Sequence, residues 1–463
     1  MNGFQECIFD PQLLRRFDVS GPRYTSYPTA DRFVEAYTAD SYTSWLQRRS
    51  IGGLAKPLSL YVHIPFCNTI CYYCACNKVI TKNRARSAKY IDYLCREIAM
   101  QAEILGGKPD VIQLHWGGGT PTFLSHDEMR QLMDCIRSHF NLVPNGEYSI
   151  ELDPRKVDEE TVALLAELGF NRMSVGVQDF DPAVQKAVNR IQSAEETALV
   201  INAARAQHFK SISVDLIYGL PKQNVISFNH TLDSVLQLGP DRISLYSYAH
   251  LPGLVKPQRR INEDELPSPD AKLQILQLAI RRLTQAGYVY IGMDHFAKPE
   301  DELAAAQRLG RLHRNFQGYS THADADLMAF GVSAIGKVGS SYSQNVKTLD
   351  EYYDAIDQGH LPILRGIELT ADDLLRRSII QALMCHFELS IESIEIAHLI
   401  DFKSYFRAEL DDLKAMEEAG LLKVEPEWIT VLPRGRLLVR VIAMVFDRYL
   451  RAERERVRYS KVI

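Results

Sequence analysis

The sequence predicts an α/β protein: a partial (β/α)6 TIM-like barrel with an irregular N-terminal arm and a mostly helical C-terminal domain. Six short runs rich in β-branched and aromatic residues recur within about 190 residues, at 58–64, 111–116, 147–152, 172–177, 211–217 and 242–248. A helical segment follows each run, which is the spacing of βα units around a parallel sheet. Because eight units close the usual barrel, six favour an open one; periodicity alone does not exclude a doubly wound sheet.

The segments around these runs have other patterns. Residues 1–57 contain many Arg, Tyr and Pro and little helical periodicity, so we expect an irregular arm. Beyond residue 366 the pattern is helical again, with one hairpin in LLKVEPEWITVL. We therefore divide the chain into an arm at 1–57, a barrel at 58–365 and a C-terminal domain at 366–463.

Two of the helices between the runs have clear signals. After the first run, Ser87 is a candidate N-cap for a helix with a 3.6-residue apolar stripe. The stripe consists of Ile91, Leu94, Cys95, Ile98, Ala102 and Leu105. After the second run, Ser125 and Glu128 form a capping-box pattern.

The charge balance excludes one class of function. Lys+Arg 53 against Asp+Glu 58 give the 463 residues a net charge of -5, which argues against a nucleic-acid binder with a large basic surface. The N-terminus carries no secretory signal, and no segment reaches 18 uncharged apolar residues. We therefore expect a cytoplasmic protein without membrane or nucleic-acid partners, whose clustered cysteines bind metal or act in catalysis.

Four of the eight cysteines fall within ten residues, in HIPFCNTICYYCACNKV at 63–79. Cys67, Cys71 and Cys74 follow the first predicted strand, at the end where parallel βα folds build their sites, and three close thiolates suit an iron-sulfur cluster with one open iron. Zinc would need a fourth ligand, and Cys76 fits poorly because extended backbone turns its side chain to the opposite face. A helical stripe of small apolar residues is the non-functional alternative.

The spacing CxxxCxxC with an aromatic residue, Tyr73, before the last cysteine resembles the signature of radical S-adenosylmethionine (SAM) enzymes. Further segments narrow the resemblance: GPRYTSYPTADRF, HIPFC, CYYCACNK, HWGGGTPT, ELDPR, SVGVQDF, DLIYGLPKQ, YAHLP and HRNFQGYST. Together they resemble the family of oxygen-independent coproporphyrinogen III oxidases, also called dehydrogenases, from about residue 22 to the C-terminus. Ala75 departs from the family's glycine, and at a positive φ it would cost about 1 kcal/mol.

The resemblance implies a [4Fe-4S] cluster on Cys67, Cys71 and Cys74 and two molecules of SAM. The residues implied for the first SAM are Tyr61, Gly118, Glu151 and Ile335. Those implied for the second are Tyr73, Gly119, Thr120, Gln178, Arg190, Asp215 and Ala249. The residues of these sets that follow predicted strands should meet at one end of the sheet. Each set also has a structural explanation that needs no ligand. The three glycines at 117–119 could form a tight turn, and Glu151 and Asp215 could pair with structural arginines. Tyr61 and Ile335 could belong to the hydrophobic core.

The resemblance also implies a reaction. A 5'-deoxyadenosyl radical takes hydrogen from the β-carbon of a propionate, and loss of carbon dioxide and one electron leaves a vinyl group. Two rounds convert coproporphyrinogen III to protoporphyrinogen IX in haem biosynthesis. We expect a low-potential electron donor such as a flavodoxin or ferredoxin, and a monomeric enzyme.

A substrate with four carboxylates calls for local cations on this acidic chain. The candidates are Arg15, Arg16, Arg23, Arg308, Arg311, His313 and Arg314. A solvated basic face is the alternative for each of them. We also hypothesise that the arm covers the mouth of the barrel.

Two other functions stay open at this stage. Relatives with the same barrel bind haem as chaperones, although they generally lack the arm and the fourth cysteine that are present here. A zinc-bound interaction module would keep the fold without the radical chemistry, and iron and sulfide analysis would distinguish it.

Overall fold

The computed structural model describes residues 7–49, 56–323 and 325–452. At its centre, six parallel strands pair in chain order across one sheet. They are β1 (Leu58–Ile64), β2 (Asp110–Gly118), β3 (Asn141–Leu152), β4 (Arg172–Gln178), β5 (Ser211–Tyr218) and β6 (Arg242–Ser247). All six predicted runs are strands, so the predicted partial (β/α)6 barrel is confirmed.

Six further strands extend this sheet at both edges. They are β7 (Val289–Gly292), β8 (His295–Ala297), β9 (Asp326–Phe330), β10 (Ile335–Val338), β11 (Ser341–Asn345) and β12 (Ile363–Glu368). At one edge, β9 pairs in parallel with β1, and β10, β11 and β12 follow it, each antiparallel to its neighbour. At the other edge, β8 pairs antiparallel with β6, and β7 pairs antiparallel with β8. These strands were not predicted because they are short and because β11, with the sequence SYSQN, consists largely of poor strand formers.

The arm is less irregular than predicted, because it contains two α-helices, α1 (Pro11–Phe17) and α2 (Ala39–Arg48). Asp10 caps α1 by accepting hydrogen bonds from two backbone amides of the first turn, and Pro11 occupies the first helical position. These two signals are present in the sequence. Residues 1–6 and 50–55 of the predicted arm lie outside the described residues.

The arm is fastened to the C-terminal part of the chain. The buried Arg440 donates hydrogen bonds to the carbonyl oxygens of Pro22, at 3.2 Å, and Gly21, at 2.5 Å. The hydroxyl of Tyr24 donates to a carboxylate oxygen of Asp447 at 3.0 Å. Hydrogen bonds between residues more than 400 positions apart therefore hold the arm against the C-terminal part of the chain.

Helices cover the sheet between its strands. They are α3 (Ala85–Leu105), α4 (His126–His139), α5 (Glu159–Glu167), α6 (Pro182–Ala187), α7 (Ala194–Ala206), α8 (Val225–Leu238), α9 (Pro269–Gln285), α10 (Glu302–Arg308) and α11 (Leu349–Asp357). The predicted Ser87 cap is wrong: Arg84 precedes α3, and Ser87 lies in the first turn, where its hydroxyl donates to the Arg84 carbonyl. The predicted capping box of Ser125 and Glu128 is confirmed in α4.

The C-terminal part is mostly helical, as predicted. Its helices are α12 (Ala371–His386), α13 (Ile391–His398), α14 (Phe402–Tyr405), α15 (Arg407–Glu418), α16 (Val439–Met444) and α17 (Arg448–Ala452). The predicted hairpin is confirmed, since Leu422–Val424 pairs antiparallel with Trp428–Val431. Strand β12 runs across the predicted domain boundary between residues 365 and 366. Residues 453–463 of the predicted C-terminal domain lie outside the described residues. The domain bounds therefore stay a prediction. Among the described residues, no helix has the length and apolarity needed to cross a membrane.

A buried carboxylate ties the outer helices to the sheet. Glu97 of α3 accepts hydrogen bonds from the Tyr352 hydroxyl (2.6 Å), the Gly331 amide (2.7 Å), the Asn345 side chain (2.8 Å) and the Gln101 side chain (3.0 Å). These donors belong to α11, the turn after β9, β11 and α3 itself. Burial outweighs the hydrogen bonds and raises the pKa of Glu97 to about 7.

Replacing Glu97 with glutamine should destabilise the fold. The amide group turns one oxygen into a donor, so two of the four buried donors lose their acceptor, at a cost of about 1–3 kcal/mol each. We expect a clearly lower thermal unfolding temperature for Glu97→Gln, measured by calorimetry. Glu103→Gln, at an exposed position of the same helix, is the matched control. Equal unfolding temperatures for the two variants would contradict this role of Glu97.

Candidate active site

Two adjoining cavities lie where the parallel strands end. The cysteine cavity, of about 310 Å³, is lined by Cys67, Cys71 and Cys74 and by residues that follow β2, β3 and β4. The arginine cavity, of about 410 Å³, is lined by Arg23 and Arg314 together with residues of β1, β2 and β3. Gly118, Glu151 and Cys76 line both cavities. Both volumes lie in the range of small-molecule sites, ~300–1,000 Å³.

The cysteines lie in a loop that is closed at its base. Phe66–Cys67 and Val79–Ile80 pair as a short parallel ribbon, reinforced by a hydrogen bond from the Val79 amide to the Pro65 carbonyl at 2.7 Å. Residues 68–78 form turns between the two halves of this ribbon, so the alternative of a helical stripe is wrong. Ala75 is not among the non-glycine residues with positive φ, so its methyl group causes no backbone strain.

Two guanidinium groups approach the middle cysteine. Arg190 donates to the Cys71 sulfur at 3.6 Å and Arg155 at 4.0 Å. Asp153 accepts hydrogen bonds from both arginines, at 3.2 Å and 2.5 Å. The pKa of Asp153 is lowered overall, because the two arginines outweigh its burial. This network holds positive charge beside a sulfur atom that would be negative as a metal ligand.

The other two thiols differ in their electrostatics. Burial raises the pKa of Cys67 to about 11, and the Thr120 hydroxyl lies 3.4 Å from its sulfur. A hydrogen bond from Cys76 lowers the pKa of Cys74 to about 6, and Lys78 adds to this effect. Cys76, for which no role was predicted, therefore favours the thiolate form of Cys74.

The donor set fits an iron-sulfur cluster better than a single ion. Among the described residues, no three His, Cys, Asp or Glu side chains are placed to hold one metal ion. Three thiols nevertheless line one cavity, and a cluster takes each thiolate at a separate iron atom. The zinc alternative therefore lacks a site in the described part of the chain.

Most residues predicted for the second SAM line the cysteine cavity. These are Tyr73, Gly119, Thr120, Gln178, Arg190 and Asp215. Ala249 lines neither cavity, but Gln258 donates to its carbonyl at 3.1 Å and to the Tyr73 carbonyl at 3.2 Å, which places Ala249 close behind the wall. Gln178 ends β4 with a φ of 68°, a left-handed conformation that is uncommon outside glycine and recurs at functional sites. Their role in binding stays a prediction.

All four residues predicted for the first SAM line the arginine cavity: Tyr61, Gly118, Glu151 and Ile335. Glu151 accepts hydrogen bonds from His115, at 3.1 Å, and from the Gly118 amide, at 3.2 Å. Burial raises its pKa, but these two donors and the neighbouring His63 lower it overall. Glu151 is therefore held ionised in the wall between the two cavities.

A half-buried carboxyl group whose pKa is shifted in the opposite direction, Asp215, lies nearby in β5. Asp215 accepts a hydrogen bond from the Ser174 hydroxyl at 3.0 Å. Burial, together with the charge of Glu151, raises its pKa to about 6. The cysteine cavity thus contains two carboxylates with lowered pKa, Glu151 and Asp153, and one with a raised pKa, Asp215.

The glycine run is required by the packing as well as by the cavities. At Gly118, which has a φ of 112°, an added Cβ would lie 2.6 Å from the His63 ring. At Gly119 it would lie 2.7 Å from the Pro65 backbone. A side chain at Gly118 would displace the His63 ring, and one at Gly119 would push the glycine run away from the base of the cysteine loop.

Sequence reasoning missed a chain of ring side chains beside Glu151. His63 donates from Nε2 to the Asn77 carbonyl at 3.0 Å, so its Nδ1 accepts from the Tyr61 hydroxyl at 3.1 Å. Burial lowers the pKa of His63, in keeping with a neutral ring. Tyr61 and His115 stack at 5.9 Å. The signal was available: Tyr61 and His63 are two positions apart on one strand, so both face the barrel interior.

Two of the seven candidate cations reach the arginine cavity, namely Arg23 and Arg314. His313 lines a smaller pocket next to it, which Arg314 also lines. The others have different neighbours: Arg15 pairs with Asp270, Arg16 lies over the Phe17 ring, Arg308 donates to the Pro299 carbonyl, and Arg311 lines a separate cavity. Arg23 and Thr25 bring the arm to the cavity wall.

Two segments of the chain match described families. Residues 61–235 match the radical SAM superfamily, and residues 369–438 match the HemN C-terminal domain. The first segment contains the cysteine loop and the ends of β2 to β5. The second lies within the helical C-terminal part.

Curated relatives match almost the entire chain. The oxygen-independent coproporphyrinogen III oxidase of Pseudomonas aeruginosa is 54% identical, covering 98% of this chain and 99% of the relative. The protein of that name from Escherichia coli K12 is 46% identical, with 99% of each chain covered. The solved structure of coproporphyrinogen III oxidase (HemN) from Escherichia coli, a radical SAM enzyme, superposes with a TM-score of 0.92 at 46% identity, over 96% of this chain and 100% of that chain. This superposition confirms the predicted fold class.

Serine in place of Cys67, Cys71 or Cys74 should reduce bound iron and sulfide about fivefold or more, because a neutral hydroxyl is a poor cluster ligand. The measurement is iron and acid-labile sulfide per chain after anaerobic reconstitution. Cys76→Ser is the matched control and should retain the wild-type content. An equal loss in all four variants, or stoichiometric zinc in the wild type, would contradict the three-ligand assignment.

Proposed function

The chain belongs to the family of oxygen-independent coproporphyrinogen III oxidases in the radical SAM superfamily, and from this premise we propose how its two cavities divide the reaction. It is a radical SAM oxidoreductase that performs oxygen-independent oxidative decarboxylation in haem biosynthesis. The two propionates that react on coproporphyrinogen III become vinyl groups. The alternative of a haem chaperone is not favoured, because the enzymes align over 98–99% of this chain, arm included.

In the cysteine cavity, Cys67, Cys71 and Cys74 would hold the [4Fe-4S] cluster. When bound, the cluster and SAM supply the 5'-deoxyadenosyl radical that removes hydrogen from the substrate. The chain's own contribution is charge and position: Arg190 and Arg155 offset the negative sulfur of Cys71, and the backbone of Gly119 can approach a ligand closely. These contacts support the assignment of this cavity to the cluster and one SAM.

The arginine cavity would bind a second SAM. This proposal is supported by one observation above all: all four residues predicted for the first SAM line the arginine cavity, whereas six of the seven predicted for the second line the cysteine cavity alone. Gly118 and Glu151, from the first set, lie in the wall that the two cavities share. Glu151, at the shared wall, can accept hydrogen bonds from hydroxyl or amine groups on either side. Its hydrogen bonds to His115 and Gly118 fix its orientation before a ligand arrives.

We further propose a cytoplasmic, monomeric enzyme that receives electrons from a low-potential donor such as a flavodoxin or ferredoxin. All eight cysteines are free, which suits a reducing compartment.

The function is tested by an anaerobic assay with coproporphyrinogen III, SAM and a reductant. The expected products are protoporphyrinogen IX and carbon dioxide, detected by chromatography after oxidation to the porphyrin and by release of labelled CO2. Reactions without SAM, and with Cys71→Ser, are the controls and should yield none. An intact cluster without any vinyl product would refute the function.

The second SAM is tested by counting. Equilibrium dialysis with labelled SAM should give two molecules per chain. Ile335→Asp, which puts a charge in the wall of the arginine cavity, should remove one of them, because a loss of about 1.4 kcal/mol already weakens binding tenfold. In this variant the EPR signal of the cluster should still shift when SAM is added. Gln178→Ala, in the other cavity, is the reciprocal variant and should weaken that shift. A wild-type stoichiometry of one would contradict the proposal.

A further inference from the structure

Two buried nitrogen atoms at the arginine cavity have no hydrogen-bond partner among the residues that the structure describes. These are Nη1 of Arg314 and Nδ1 of His295, and both residues line the cavity. The Arg314 residue is only 4% exposed. In the described part of the chain, no carboxylate forms an ion pair with Arg314 (the Nε atom donates to the Arg23 carbonyl at 3.3 Å). A buried guanidinium without a counter-charge is costly, and a ligand would relieve that cost.

Arg314 is rigidly held. Its backbone amide donates to the Gln381 side chain at 3.1 Å, and its carbonyl accepts from the same side chain at 2.9 Å. The guanidinium lies 4.8 Å from the centre of the Tyr319 ring. The side chain is therefore positioned before any ligand binds, which lowers the entropic cost of binding.

His295 and Arg23 complete the cluster. The His295 ring meets Tyr246 and Tyr319 edge-on, with ring centres 6.0 Å and 5.2 Å apart. Burial and the neighbouring arginines hold its pKa well below the usual value, so the ring is neutral and one of its nitrogens can donate. Arg23 is ion-paired with Asp294 and lies over the Tyr246 ring.

The charges around the cavity favour an anion at this end. Its described lining residues include two arginines and a single carboxylate, Glu151, which belongs to the wall shared with the cysteine cavity. Next to Arg314, the smaller pocket is lined by further basic side chains, including Lys337 and Arg377. An arginine fork matches a carboxylate in two-point geometry.

We propose that Arg314, assisted by His295 and Arg23, binds a carboxylate in the arginine cavity. This inference rests on the proposed function, which offers two sources of that group: a propionate of the substrate, or the methionyl carboxylate of the second SAM. Arg314 would be a specificity-determining residue, since esterification of the carboxylate would remove its partner.

The test is Arg314→Gln, compared with Arg172→Gln. Arg172 is equally buried, pairs with Glu302 and begins β4 at the other end of the sheet, so its replacement is a matched control. Two ligands are measured separately under anaerobic conditions: coproporphyrin III, the stable oxidised porphyrin, by fluorescence quenching, and labelled SAM by equilibrium dialysis without porphyrin. Iron content and unfolding temperature verify the fold.

Each outcome decides the proposal. Porphyrin affinity at least about tenfold weaker with SAM stoichiometry unchanged assigns the site to a propionate, and loss of one SAM with porphyrin affinity unchanged assigns it to the methionyl carboxylate. Both affinities within twofold of the wild type would overturn it. Should Arg314→Gln not fold, Arg23→Gln at a half-buried position decides by the same readouts. Because binding is measured, the result is separate from a failure of turnover.

Discussion

The continuation of the β1–β2 pairing beyond the strand ends is the contact on which both cavities depend. The pairing reaches Ile64 and Gly118, and two further backbone hydrogen bonds follow: the Gly119 amide donates to the Ile64 carbonyl at 2.8 Å, and the Thr120 amide to the Phe66 carbonyl at 2.9 Å. The cysteine loop and the glycine run are thereby joined edge to edge. A side chain at Gly119 would clash with the Pro65 backbone and separate them, so packing and ligand approach impose the same requirement on this position.

A single carboxylate then links the two halves of the site. Glu151 faces both cavities, and its two donors come from β2, the strand that carries the glycine run. Its charge also raises the pKa of Asp215 in the next strand but one. A charged ligand in one cavity would consequently change the electrostatic potential in the other through Glu151, without movement of the backbone.

The sequence predicted the features that depend on local periodicity, and it did not predict those that depend on contacts between distant parts of the chain. Residues that follow parallel strands, such as Gly118, Glu151 and Gln178, were predicted to meet because strand periodicity places them at one end of the sheet. His295 and Arg314 could not be placed beside Tyr61 in this way. His295 lies on the short strand β8, at the edge of the sheet. Arg314 lies on the strand His313–Asn315, which pairs antiparallel with Gly318–Ser320 and is held against α12 by Gln381. The helix α1 had local signals and was missed because the arm was judged by its overall composition.

The fastening of the arm sets an order for assembly during synthesis. Arg440 and Asp447 leave the ribosome after every strand of the barrel, yet they hold Gly21 to Tyr24 next to Arg23. Residues 21–24, which are synthesised early, can therefore reach their native contacts only after Arg440 and Asp447 have been synthesised. Until then the arginine cavity lacks part of its wall, so an incomplete chain cannot present a finished site.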